Sequence, residues 1–323
     1  MRALVYERYG PPDQVLRLAD VPRPEPGADE VLVRVHAASV NSWDWDQLTG
    51  TPLGRVLGPF KPRHKVLGAD IAGVVEAVGE GVTAFRPGDP VFGDLSEGKW
   101  GGFAEYAVAK TGELARMPDG LGFIDAAAIP QAGALALQGL RKRTALGATS
   151  SVLLNGAGGG VGTFALQLAK AMQAHVTVVD RGEKREALLA LGADRFIDYR
   201  EADFTADGQQ YDLVVDVVAR HSPGRFAASL KDGGELVVIG GRIPTLLQVA
   251  ALGGFVGRGR RQRLGLLIYK PSPADNLELA QRCAAGTLRP IIDGVYPLSR
   301  GAEALARIGS GLAVGKVMIS VAE

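Results

Sequence analysis

A chain of 323 residues that is 46% apolar and 22% charged has ample material for a packed interior, so disorder is excluded for most of it. Its 36 basic and 35 acidic residues leave a formal charge of +1, without the basic excess of a nucleic-acid module. A single cysteine, Cys283, excludes an intrachain disulfide framework and any multi-cysteine zinc site.

At about 150 residues per domain the length predicts two domains. The first residues, Met1 to Arg8, show no apolar run followed by a small-residue cleavage site. No stretch approaches the ~18 apolar residues of a membrane span. The expectation is a cytoplasmic protein without stable membrane insertion. Glycine is abundant, with 44 residues clustered at turns between apolar runs.

In chain order, Pro22, Pro24, Pro26 and Gly27 mark a loop, and Glu30 to Ala37 alternates polar and apolar residues as a half-buried strand does. Ala69 to Gly79 and Gly101 to Val108 read as further strands, and Arg86 to Gly93 as a turn leading into one. Short strands with Pro/Gly turns predict a compact β-rich, barrel-like domain. From about residue 121 the texture changes. Asp125 to Leu146 reads as helix with a break at Pro130. Strands at Ser151 to Asn155, His175 to Asp180, Tyr211 to Asp216 and Gly234 to Gly240 then alternate with helices at Val161 to Gln173 and Glu183 to Leu191. Alternating strands and helices predict a doubly wound parallel sheet. From about Leu264 the texture is mixed again, with helices at Ala274 to Ala285 and Gly301 to Ile308 and a last strand at Lys316 to Val321.

The strand ending at Asn155 runs into Gly156-Ala157-Gly158-Gly159-Gly160-Val161-Gly162 and then into a helix. Within it, Ala157-x-Gly159-x-x-Gly162 is a variant of the dinucleotide fingerprint. Small residues permit the tight turn and let backbone approach a pyrophosphate, and the helix start offers free N–H groups. Asp180 ends the next strand, where such folds hold a ribose.

These and other strings make the chain similar to the medium-chain dehydrogenases/reductases of the zinc-free quinone oxidoreductase type. They are Gly68-Ala69-Asp70-Ile71-Ala72-Gly73, Arg86-Pro87-Gly88-Asp89, Gly101 to Tyr106, Gly156 to Gly162 with Gln167 to Lys170, Leu191 to Asp194, Asp232-Gly233-Gly234 and Gly315-Lys316-Val317. The resemblance implies an α/β protein with a Rossmann domain, residues 123–263, inserted in a GroES-like β-rich catalytic domain, residues 1–122 and 264–323. It implies no zinc. Ala69 stands where zinc-dependent relatives carry a histidine, Asn41 to Asp44 holds no cysteine, and His36, His64, His175 and His221 are scattered.

Without a Lewis acid, hydride addition to a simple ketone lacks its strong stabiliser, whereas a quinone or enone spreads the charge over an enolate or phenolate. The activity implied is zinc-independent, NAD(P)H-dependent reduction of a quinone or an activated C=C. An enoyl-thioester reductase and a cofactor-binding protein with little catalysis are the alternatives. Asn41 and Asp44 match the family's Asn-x-x-Asp element, expected beside the nicotinamide, with Ser42 in place of the usual proline; both residue types also favour turns and helix caps. Trp43, Trp45, Phe60 and Trp100 are candidates either for a pocket wall or for core packing.

Ala157, Gly158, Gly159, Gly160, Val161, Gly162, Asp180, Arg181, Lys184, Tyr199, Gly240, Gly241 and Lys316 are the expected cofactor-binding residues. Asp180 favours the ribose 2′-hydroxyl of NAD(H), while Arg181, Lys184, Arg185 and Tyr199 favour a 2′-phosphate; the balance falls to NADP(H). Residues 242–267 place an apolar stretch beside Arg258 to Arg263, which fits either an interfacial segment or a helix and loop covering the cofactor. By resemblance a homodimer is expected, with Glu235 to Ile239 as the meeting edge.

Overall fold

A computed structural model describes residues 1–56, 58–142 and 146–321. The end of the helix expected to run to Leu146 therefore lies partly outside the described residues. In chain order the strands are β1 (Arg2–Val5), β2 (Arg17–Asp20), β3 (Glu30–Val40), β4 (Asp70–Val78), β5 (Pro90–Asp94), β6 (Tyr106–Lys110), β7 (Leu114–Arg116), β8 (Ser151–Asn155), β9 (His175–Asp180), β10 (Arg195–Asp198), β11 (Tyr211–Asp216), β12 (Leu230–Val238), β13 (Arg263–Leu266), β14 (Ile292–Pro297) and β15 (Lys316–Ser320). The helices are α1 (Pro12–Val15), α2 (Ser42–Thr49), α3 (Phe123–Ala128), α4 (Pro130–Arg141), α5 (Gly160–Ala171), α6 (Arg185–Ala190), α7 (Pro223–Ala228), α8 (Ile243–Val256), α9 (Pro273–Ala284) and α10 (Gly301–Gly309).

The chain divides into two compact units. The first takes Met1–Ala134 and Pro271–Glu323, the second Leu135–Lys270. These limits fall later than the 122/123 and 263/264 boundaries expected from texture. At the far end the reason is pairing: Leu264 and Leu266 belong to β13, which runs parallel to β12 and so stays in the second unit.

The first unit is built on a sheet of order β14-β15-β3-β4-β5-β7, with β6 also pairing β3. The long β3 is its centre: it pairs antiparallel with β15, β4 and β6. Val31, Val33, Val35, Ile71, Val91, Phe103, Val317 and Ile319 meet in the core. Both ends of the chain are therefore needed to close this unit. The break at Pro130 is as expected. Proline has no N–H to continue the ladder, so α3 stops and α4 restarts, with Gly133 N–H donating to the Ile129 carbonyl at 2.7 Å.

The second unit is an all-parallel sheet of order β10-β9-β8-β11-β12-β13. Its central strands are short apolar runs rich in valine and leucine, buried as parallel strands with helices on their faces are. Strand order reverses between β8 and β11, and the crevice outside the strand ends at that point is where doubly wound folds receive ligands. One expectation is corrected here. Glu235 to Val238 is not an edge, because β12 is paired on both sides; the outer strand is β13.

Candidate active-site and cofactor-binding residues

The loop between β8 and α5 combines a tight turn with open backbone. Gly156 adopts φ +81°, the left-handed region that glycine enters freely, and turns the chain out of β8. Its N–H and that of Ala157 donate to the Val179 carbonyl at 3.0 and 3.3 Å. A Cβ on Gly162 would stand 2.4 Å from the Cα of Ala157, so only glycine lets α5 pack this tightly on the turn. A Cβ on Gly159 would meet nothing nearer than the Gly156 carbonyl oxygen at 3.7 Å, so the backbone there is open to an approaching group. Gly159 caps α5 without a side chain, and the N–H groups of Gly160, Val161 and Gly162 in the first turn have no intrahelical acceptor. They form the positive end of a helix of 12 residues.

The acidic residue after β9 is not free. Asp180 Oδ2 accepts from the Gly158 N–H at 2.7 Å and Oδ1 from the Arg181 N–H at 2.8 Å. The Lys184 ammonium lies 3.5 Å from the same carboxylate, and both side chains are nearly buried. Lys184 therefore neutralises Asp180. Beside this pair, Arg181 Nε donates to the Tyr199 hydroxyl at 3.0 Å, and Tyr199 is 45% exposed. Arg185 instead lies over the Phe196 ring, 4.7 Å from its centroid. Gly240 and Gly241 follow β12 at a close approach: a Cβ would fall 2.8 Å from the Val217 carbonyl oxygen at Gly240, and 2.4 Å from that of Ala219 at Gly241. Asn155 and Asp216 end β8 and β11, and their side chains join at 3.0 Å, Nδ2 donating to Oδ1. Sequence reading missed this pair. Burial pushes the Asp216 carboxyl up to about 6, and its Oδ2 has no partner among the described residues.

In the first unit, Asn41 is the N-cap of α2 and Asp44 its third residue. Asp44 is fully buried. Its Oδ2 accepts from the Asn41 N–H at 2.7 Å and its Oδ1 from the Gly68 N–H at 2.9 Å. Burial raises its carboxyl to about 7, against those two hydrogen bonds. With both oxygens held by backbone, Asp44 positions the chain entering α2.

The Asn41 side chain is held by residues of two strands. Its Oδ1 accepts from the Lys316 ammonium on β15, and its Nδ2 donates to Asp70 Oδ2 at 2.9 Å. The chemistry of the partners fixes the amide orientation, since an ammonium only donates and an ionised carboxylate only accepts. Asp70 also receives Ser39 Oγ at 3.1 Å and the Gln131 N–H at 3.2 Å, and Lys316 Nζ lies 3.7 Å from it. Burial raises the Asp70 carboxyl and lowers the Lys316 ammonium, each opposing the attraction between them. The residues that sequence expectation placed in two groups thus regroup: Lys316, expected at the cofactor, sits with Asn41, and Asp70, noted only as part of a motif, completes the cluster. Nothing local in the sequence links these three.

The aromatic candidates do not make one wall. Trp100 is 3% exposed in the core and stacks with His64 at 5.5 Å. Trp45 packs so closely on Gly309 of α10 that a Cβ there would lie 2.2 Å from its ring. Trp43 packs against the first unit's core, and Phe60 is 95% exposed.

Comparison with known proteins gives the context. The alcohol dehydrogenase GroES-like domain model matches residues 27–119 and the zinc-binding dehydrogenase model residues 191–319. The chain is 34% identical to the chloroplast envelope quinone oxidoreductase homolog of Arabidopsis thaliana, over 99% of this chain and 98% of that one. It is 31% identical to the 2-methylene-furan-3-one reductase of Solanum lycopersicum, over 99% and 79%. The structure of the quinone oxidoreductase from Coxiella burnetii superposes with a TM-score of 0.89 at 29% identity, covering 100% of this chain and 99% of that one. The chain belongs to the medium-chain dehydrogenase/reductase family, quinone oxidoreductase type. It is an oxidoreductase with a GroES-like unit and a Rossmann-like parallel sheet. The zinc named in one family model does not fit the donors present. Among the described residues no three His, Cys, Asp or Glu side chains converge on a possible metal position, and Asp70 is saturated by Ser39, Asn41, Gln131 and Lys316. No step through zinc follows.

Proposed function

We propose that this oxidoreductase uses NADP(H), without zinc, to reduce a quinone or an activated C=C such as an enone. The observation that carries the reading is the α5 start: an open Gly159 backbone and unpaired N–H groups suited to a diphosphate, next to an Asp180 already neutralised by Lys184. With Asp180 engaged by Gly158 and Lys184, Arg181 and Tyr199 are the pair for a 2′-phosphate. Ala157 to Gly162 would cradle the diphosphate, and Gly240 and Gly241 keep the backbone close beyond β12. The names of the Arabidopsis and tomato relatives support the acceptor class.

Bound nicotinamide would supply a hydride. The chain's own part is to receive the charge that hydride places on the acceptor oxygen. Asn41 is suited to this, because Lys316 and Asp70 hold its amide by Oδ1 and one N–H and leave its second N–H to donate. The delocalised enolate or phenolate then needs only hydrogen bonds, and water completes the protonation. Asp44 acts by holding the Asn41 backbone.

The test is absorbance loss when the protein is mixed with NADPH or NADH and a panel of quinones, enones and acyl-thioesters. Turnover of quinones or enones with NADPH preferred is expected. Turnover of thioesters alone, or cofactor binding without turnover, overturns the reading. A cytoplasmic address and a homodimer formed through the free edge of β13 belong to the same reading; cell fractionation and sedimentation velocity measure them, and a monomer counts against the second.

A further inference from the structure

Three strands of the parallel sheet end on an aspartate: β9 on Asp180, β10 on Asp198 and β11 on Asp216. Two of the three have a cation at hand. Lys184 lies 3.5 Å from Asp180, and Arg200 lies 2.9 Å from Asp198. Asp216 has no cation in contact among the described residues, although it is the most deeply buried of the three. Its partners are neutral. Oδ1 accepts from Asn155 Nδ2 at 3.0 Å and from the Val218 N–H at 2.9 Å, and Oδ2 is buried without a donor.

Asp216 and Asn155 are register partners at the last positions of β11 and β8, the two strands between which the sheet order reverses. The turn at Gly156 follows directly, and a Cβ there would lie 3.4 Å from Val217 and Val218. Main-chain bonds tie the same corner: the Val217 N–H donates to the Asn155 carbonyl at 3.0 Å, and the Ile239 N–H to that of Asp216 at 2.8 Å. The elements around it bring no titratable side chain: none lies in β8 from Val152 to Asn155, in α5 from Gly160 to Thr163, in α4 from Ala136 to Leu140 or in β12 and its exit from Val237 to Gly241. Asp180 and Lys184 at the end of β9 are engaged with each other. Arg220 acts on Asp216 through space and favours its ionised form, against burial.

An ionised Asp216 leaves a charged oxygen without a donor, whereas the neutral acid keeps both of its bonds, because Oδ1 still accepts and the proton sits on Oδ2. Burial accordingly raises the carboxyl to about 6. A diphosphate at the start of α5 brings negative charge to the same strand ends, and like charge favours the neutral acid further. We propose that Asp216 takes up a proton on Oδ2 when a dinucleotide binds, so that affinity for the cofactor is linked to pH through this buried carboxyl. The inference rests on the dinucleotide reading of the loop. Asp216 is a positioning residue in it: the neutral acid holds Asn155 and Val218 beside the turn without setting a charge against the diphosphate. An amide at position 155, in place of the cations beside Asp180 and Asp198, is what leaves Asp216 free to be neutral.

The test is titration calorimetry of the full chain with NADH, in two buffers of different ionisation enthalpy, from about pH 5.5 to about pH 8.5. NADH is the probe because the 2′-phosphate of NADPH itself titrates near about 6. Expected at about pH 7.5 is uptake of about 0.5–1 proton per NADH bound, with an affinity that falls by up to about tenfold per unit as pH rises above about 6. Asp216→Asn copies the neutral acid. It should bind without that uptake and, at about pH 8, about tenfold or more tighter than the wild type, while matching it at about pH 5.5. A merely structural Asp216 predicts the opposite, weaker binding by the variant at every pH. Binding to the wild type without uptake, uptake that persists in Asp216→Asn, or weaker binding by that variant at about pH 8 overturns the proposal alone. The wild-type proton count decides the matter if the variant does not fold. Failure of NADH and NADPH alike to bind overturns the dinucleotide reading, and the proposal with it.

Discussion

Replacing Arg181 by glutamine should switch cofactor preference without touching the rest of the loop. Arg181 is half-buried, and its Nε reaches the Tyr199 hydroxyl at 3.0 Å. Its backbone N–H, which binds Asp180, is unaffected by the substitution. A hydrogen bond to a charged group is worth about 1.5–3 kcal/mol where water is excluded, and an exposed ion pair about 0.2–1 kcal/mol. A half-exposed arginine facing a phosphate of charge near −2 falls between them, at about 1–2 kcal/mol, which is about 5- to 30-fold in kcat/KM. The assay is kcat/KM for NADPH and NADH measured in parallel with one quinone at one ionic strength. The ratio should fall by that factor through the NADPH term, with kcat at saturation little changed. Raising salt should shrink the same ratio in the wild type, because a partly exposed charge contact is screened. An unchanged ratio, or an equal loss for both cofactors, would refute the assignment of Arg181 to the 2′-phosphate.

Asn41→Ala should lower kcat about 100-fold with little change in the KM for NADPH. It should also cost about 1–3 kcal/mol of stability in a urea titration, since Lys316 and Asp70 each lose a buried partner. Gly162→Val should destabilise the protein by at least about 1–3 kcal/mol and weaken dinucleotide binding, because the side chain would collide with Ala157 backbone. The Asp44 carboxyl titrates near 7 when folded and near 3.9 when unfolded, so between those values the folded state holds more protons and this group's contribution to stability falls as pH rises. The stability of the wild type relative to Asp44→Asn should therefore fall as pH is raised from about 4 to 7 and be constant above that; a rise relative to the variant would contradict the burial argument.

The build of the glycine-rich loop after β8 was legible in the sequence because each of its small residues answers a local steric demand. Gly156 must turn, Gly162 must pass Ala157, and Gly159 must leave its backbone open; a strand before and a helix after are enough to place all three. The parallel sheet followed from the same alternation, and the break at Pro130 from the missing N–H. The Asn41 cluster was only half legible. Its cap geometry is local, but the Lys316 and Asp70 side chains that orient its amide come from strands near opposite ends of the chain, joined only because β15 and β4 flank β3. The outer strand shows the same limit. Arg263-Leu264-Gly265-Leu266 is too short and too interrupted by glycine to announce itself, and becomes a strand through its register with Glu235 to Val238.

In α8 the apolar run was visible, but hydrophobicity could not tell which side faces the sheet. That choice was made by the two close backbone approaches at Gly253 and Gly257, which admit no side chain, while Val249 and Leu246 pack on the core and Leu247 and Phe255 are left exposed. Gly253→Leu is accordingly a sharper test of this packing than any change at the exposed residues. It adds a favoured apolar residue and improves helix propensity, yet should destabilise the protein, because its Cβ would stand 2.5 Å from the Leu264 carbonyl oxygen and push α8 off β13. A variant as stable as wild type would mean that the close approach of α8 to β13 does not set the packing of this helix.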